Sequence, residues 1–237
     1  MSIKLSVLAL GITLAYGATA AMAANTVDVE QHGDFNNAVI EQWDNTNVSA
    51  NVHTHGDRND VFISQNNSNR LDATVGGMGY ANSAVVVQQN VDYGGATIKQ
   101  DGSGGDATIN QSGTNGAYHG PMDGSSQWAF INQNGGWGNV AWVTQGGDKV
   151  EGTINQYGYK NTAGIVQTGH GVTFDIAKIN QSGVNNDAYI TQNGRDLEAT
   201  ITQRGGWNVA TITQNGSGYS AAITQVGYGN NAYVNQR

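Results

Sequence analysis

A glutamine returns about every eleven residues along this chain. It stands at Gln31, Gln42, Gln65, Gln88, Gln100, Gln111, Gln133, Gln145, Gln156, Gln167, Gln181, Gln192, Gln203, Gln214, Gln225 and Gln236. Each of these sixteen has Ile or Val two residues before it, and thirteen have Ala four before it. Self-similarity at a fixed period marks a repeat architecture, in which small units bury their apolar faces only against their own copies. Function in such a chain belongs to the array.

The spacing within a unit sets the local structure. In Asn186-Asp187-Ala188-Tyr189-Ile190-Thr191-Gln192, alternate residues put Asn186, Ala188, Ile190 and Gln192 on one face of a strand. Two residues after the glutamine, twelve of the fifteen continuing units carry Gly, which suits the tight turn that must follow. Asn stands six before the glutamine at Asn139, Asn161, Asn186, Asn208 and Asn230, whereas intervening units carry Val150, Asp175, Leu197 and Tyr219. Two strands therefore make one repeat of about 22 residues. The fold class expected is all-β, a parallel β-solenoid (a cross-β stack) of about ten strand-turn-strand repeats. Stacked layers turn the inward amides into Gln and Asn ladders, which satisfies their hydrogen bonds. Thr54 and Gly77 replace the glutamine in two units, and Tyr118 to Met122, with the lone Pro121, obscures a third near residue 122. Residues 112–138 are the candidate irregular layer.

Composition narrows the function classes. Cysteine is absent, so disulfides and thiolate chemistry play no part. A net charge of −8 with ten Lys and Arg argues against nucleic acid or anionic membrane as partner. Residues 1–23 read as a signal peptide: Lys4, an apolar run from Leu5 to Tyr16, and the small-residue site Ala21-Met22-Ala23. No other segment is apolar enough to span a bilayer. The solenoid then occupies 24–237. No catalytic constellation or cofactor motif stands out, so an enzyme is not expected. His53-x-His55-x-Asp57 could put three metal ligands on one side of an extended segment, but an irregular turn replacing a layer is the favoured reading. Trp43, Trp128, Trp137, Trp142 and Trp207 form no single column, and leave surface packing and adhesive contacts both open.

The unit Gln-x-Gly-x-x-Asn-x-Ala-x-x-x-Gln is matched in full by Gln31-Gly33-Asn36-Ala38-Gln42 and Gln156-Gly158-Asn161-Ala163-Gln167. It recurs in Gln181-Gly183-Asn186-Ala188-Gln192, Gln203-Gly205-Asn208-Ala210-Gln214 and Gln225-Gly227-Asn230-Ala232-Gln236. This pattern resembles the curlin repeat of the curli amyloid subunits. The resemblance implies a β-solenoid subunit exported through the periplasm of a Gram-negative bacterium. It would polymerise at the cell surface into fibres of biofilm and adhesion, with a partner curlin subunit and curli secretion and chaperone proteins. The regular repeats favour the major fibre subunit. The alternative is the minor nucleator, whose habits the terminal Gln236-Arg237 and the Ala of both strand types resemble. The candidate assembly residues are the ladder Gln and Asn of the five full matches, with the Asn230 to Gln236 strand pairing to the first repeat of the next subunit. A monomeric ice- or glycan-binding solenoid is a distant alternative. Thr200, Thr202, Thr211 and Thr213 suit an ice-binding face, but most layers place other residues there.

Overall fold

Alternation at period two dictates strands with one buried face, and in the computed structural model the described residues form strands joined by short turns. It describes residues 11–12, 25–113 and 126–237. Its seventeen strands are β1 (Gly11–Ile12), β2 (Thr26–His32), β3 (Asn37–Trp43), β4 (Ser49–Asp57), β5 (Asp60–Asn66) and β6 (Asn69–Tyr80). Then follow β7 (Ser83–Gln89), β8 (Asp92–Ser103), β9 (Asp106–Ser112), β10 (Gln127–Trp137), β11 (Val140–Tyr159) and β12 (Thr162–Val184). The last five are β13 (Asp187–Arg195), β14 (Glu198–Gly206), β15 (Val209–Ser217), β16 (Ser220–Tyr228) and β17 (Asn231–Gln236). Among the described residues no helix is long and apolar enough to cross a membrane.

The strands form two parallel stacks wound into a solenoid of about nine turns. Stack A runs β2, β4, β6, β8 and β10, continues through residues 150–159 of β11 and 175–184 of β12, and ends in β14 and β16. Stack B runs β3, β5, β7 and β9, passes through the first parts of β11 and β12, and ends in β13, β15 and β17. Ala and Ile or Val of every layer meet between the stacks, as in Ala163–Ile165, Ala188–Ile190 and Ala210–Ile212, all essentially inaccessible to solvent. A smaller cluster of Val48, Leu71 and Val91 fills one corner of the early turns.

Nine turns, rather than ten, reflect unequal repeats. In the first half equivalent residues lie 23 apart, as in Gln42 with Gln65. Later separations vary, 33 from Gln100 to Gln133 and 25 from Gln167 to Gln192, and fall to 22 in the most regular turns, as in Gln192 with Gln214. The extra residue sits at the corner after the stack B glutamine, where Asp44, Asn67 and Asn90 take positive φ in place of glycine. Asp and Asn tolerate that region because their side chains satisfy nearby backbone groups. Of the stretch 112–138 expected to be irregular, residues 114–125, with Tyr118, His119 and Pro121, lie outside the described residues. Gln127–Trp137 is a strand in register with both neighbours, shifting only between Asn134 and Trp137. One expectation is corrected: His53-x-His55-x-Asp57 is no irregular turn. These residues belong to β4 and pair in register with Gly76, Met78 and Tyr80, and Thr54 points inward at the framework position. The Ala50 and Val52 anchors beneath them hold the layer regular without its glutamine.

Candidate functional site

Burying a primary amide is tolerable only when both its donors and its acceptor find partners. In stack B the amides partner one another from turn to turn. Gln42 Nε2 donates to Gln65 Oε1 at 2.7 Å, and the chain of bonds continues through Gln88, Gln111, Gln145, Gln167, Gln192 and Gln214 to Gln236, each 2.8–3.0 Å. In stack A the ladder runs from Gln100 through Gln133, Gln156, Gln181 and Gln203 to Gln225. It is interrupted at the start. Thr54 and Gly77 supply no amide, and both polar side-chain atoms of Gln31 are buried without a partner.

Both ladders have one direction. Every Gln–Gln bond runs from the Nε2 of one turn to the Oε1 of the C-terminal neighbour. From Gln100 onward the second N–H of each interior amide goes to a backbone carbonyl, as from Gln214 Nε2 to Glu198 O at 3.0 Å. Gln225 and Gln236 keep that backbone bond, to Val209 O and Ser220 O, and have no further layer to receive the other hydrogen. At the opposite end Gln42 Oε1 accepts nothing within the described residues.

The Asn column is a second polar spine. Asn186 Nδ2 donates to Asn161 Oδ1 at 3.0 Å and to Gly205 O at 3.1 Å, so each Asn ties together three successive turns. Asn161, Asn208 and Asn230 repeat the pattern toward the preceding Asn, and Asn36 accepts from Asn59 at 3.1 Å. Of the sequence-predicted residues, all but Gln31 join continuous ladders. Sequence reasoning overlooked Gln127, which occupies the otherwise variable column six before the stack A framework position. Its Nε2 donates to Ser112 O and Gly147 O at 2.9 and 2.8 Å.

Asp175 is the counterexample in that column. It is buried over Val150 and beneath Leu197, with Oδ1 accepting the Leu197 N–H at 2.9 Å and Oδ2 left without a partner. Burial outweighs that hydrogen bond and pushes its pKa up from 3.8 to about 6. The folded state therefore prefers the neutral acid. The resulting penalty is fully present above about pH 6 and vanishes below the unfolded value, so this group adds stability as pH falls from 7 to 4. Asp175→Asn should stabilise the fold at pH 7 by up to ~3 kcal/mol and flatten this part of the profile. Chemical denaturation of both proteins at pH 4 and 7 checks it.

Three of the five histidines, His32, His53 and His55, gather at the first turns. His32 and His55 stack with centroids 4.6 Å apart. Glu30 bridges His32 Nε2 at 2.8 Å and His53 Nδ1 at 3.1 Å, and these two contacts hold its pKa below the usual carboxylate value. Among the described residues no group of three or more His, Cys, Asp or Glu is placed to hold a metal ion.

The last turn ends in open strand edges, whereas at the first turn Gly11–Ile12 pairs with part of the β3 edge. Val27 and Val29 at one end and Ala221, Ala232 and Val234 at the other are only partly buried against the core. Comparison with known families agrees with this architecture. The curlin associated repeat matches residues 177–205 and 194–227, which lie in the last, most regular turns. No curated protein matches the chain. Curlins are structural amyloid subunits rather than enzymes. The chain is thus similar to the curlin associated repeat over residues 177–227, and the same inward columns continue through the earlier turns.

Proposed function

We propose that this chain is exported and polymerises end to end into extracellular curli-type fibres that serve biofilm matrix and adhesion, as a major-type subunit. The observation that carries this reading is the common direction of the ladders. The last turn offers unspent amide donors at Gln225 and Gln236, and the first offers unspent acceptors at Gln31 and Gln42. Stacking one subunit on the next continues stack A on A and B on B. Such a contact is heterologous and does not close, so it gives a filament. Open strand edges, which most proteins cover, are here the means of growth. A stack B ladder that runs unbroken from Gln42 to Gln236 suits a subunit that extends a fibre as well as starting one, which favours the major type over the nucleator.

The leader supports the same reading. Gly11–Ile12 pairs in parallel with Val39 and Ile40, on the edge a preceding subunit would use. Its removal with residues 1–23 would free that edge. Assembly of residues 24–237 from denaturant tests the proposal, followed by thioflavin fluorescence, electron microscopy and fibre diffraction. Unbranched fibrils with a meridional reflection near ~4.7 Å are expected. Substoichiometric fragments of those fibrils should shorten the lag of fresh monomer. A β-rich monomer that stays soluble would overturn the reading.

A further inference from the structure

Outward positions of stack A hold a groove of about 750 Å³ that no ladder or edge uses. It crosses several turns along the solenoid axis. Its early side is low, formed by Asn51, Thr74 and Thr97. In the fifth turn Trp128 and Phe130 rise from β10, and Phe174 flanks the later side. All three rings are exposed, Trp128 by 49%. Trp128 rests on Gly95 of the neighbouring turn: a Cβ there would lie 2.9 Å from the indole ring. The missing side chain seats the ring over the sheet, with almost half of the residue open to solvent.

We infer that this groove binds a neutral polysaccharide lying along the solenoid axis, with Trp128 as its stacking platform. Aromatic rings supply apolar area at low conformational cost, and the C–H faces of pyranose rings match it. Hydroxyls and amides of Thr74, Thr97, Thr153 and Asn51 line the floor where sugar hydroxyls need partners. Charge selects among polymers. The lining includes Asp72 and Glu151 and no Lys or Arg, which disfavours uronate, sulfate or phosphate groups. Nor do those carboxylates converge on a small cation. They sit three turns apart, roughly 14 Å at ~4.8 Å per layer, and Asp72 already accepts from Ser49 Oγ. An extended, uncharged, hydroxyl-rich chain fits all these features.

The groove faces sideways from the stack, so it stays open whether or not subunits join end to end. A fibre would repeat it in every subunit and gain from multivalent attachment. The test uses residues 24–237 captured as monomer at low density on a sensor surface. Hydroxyethylcellulose, glucomannan and soluble starch are passed over it, with alginate as the anionic comparator. At least one neutral polymer should bind and alginate should not. Trp128→Ala should weaken that binding at least about tenfold, and Phe130→Ala should weaken it too. Trp207→Ala, at an exposed corner remote from the groove, should leave it unchanged. Because Trp128 and Phe130 are surface residues, an unchanged far-UV spectrum should accompany both losses. The inference is overturned if no neutral polymer binds, if alginate binds as well, if Trp128→Ala binds as tightly as the parent, or if Trp207→Ala loses as much.

Discussion

Replacing Gln225 and Gln236 by glutamate is expected to halt fibre growth at neutral pH while leaving the monomer folded. The direction of the ladders makes this specific. Gln203 Nε2 and Gln214 Nε2 donate to the side-chain oxygens of Gln225 and Gln236 at 2.8 Å, and a carboxylate oxygen accepts those bonds equally well. The substitution removes the outgoing donor, together with the bond each amide makes to the Val209 or Ser220 carbonyl of its own subunit. In the joint, each carboxylate would face the Oε1 of Gln31 or Gln42, an acceptor against an acceptor, as both leave water. Leaving buried polar groups unpaired costs about 1–3 kcal/mol each, and more when one is charged. The equilibrium constant for adding a subunit should fall at least about a hundredfold, read as a rise in the monomer concentration that coexists with fibres. Below about pH 4 the glutamates protonate, regain an O–H donor, and growth should approach that of the parent at the same pH. The mirror substitution, Gln42→Glu, is expected to behave oppositely. It keeps the incoming acceptor and destroys the internal bond to Gln65, so stability falls before assembly does. Equal growth defects at both ends would contradict a directional joint.

Parity and spacing make the fold legible in the sequence, because a two-stranded turn leaves no freedom over which residues face inward. Asn six before the glutamine already separates stack B from stack A, and it puts Gln145 in B through Asn139. Gln133, without that Asn, falls to stack A, where it lies between Gln100, 33 residues earlier, and Gln156. Even the 23-residue turns leave a trace: their corners are the three units where Asp44, Asn67 and Asn90 replace glycine. Two things were hidden. The column of Val150, Asp175 and Leu197 has no shared chemistry, so nothing in the spacing announces that Asp175 is buried there. The Trp128 groove depends on Gly95 lying beneath a residue 33 positions later, a register that only the stacked chain defines. Inward residues are tied to a repeating environment, and outward ones are free of it.

That distinction also ranks the glycines, and it predicts the largest loss of stability. Gly183 has φ +127°, and a Cβ there would lie 1.8 Å from the Gly205 carbonyl oxygen of the next turn. The obstacle is backbone, so no rotamer change relieves it. That same carbonyl oxygen accepts from Asn186 Nδ2 at 3.1 Å, so pushing it aside also strains the Asn spine. Left-handed strain for a non-glycine residue contributes roughly 1–2 kcal/mol, and displacing a packed strand several more. Gly183→Ala should therefore cost about 4 kcal/mol or more, enough to unfold most of a marginally stable array. Gly218 provides the control. Its φ of +70° is equally left-handed, yet an added Cβ would meet nothing within 4 Å. Gly218→Ala should cost only the backbone term, about 1 kcal/mol. Urea denaturation of the two monomers separates close packing from backbone preference. A near-equal loss in both would mean that the turns yield to one another, and that the registry between layers is softer than the ladders require.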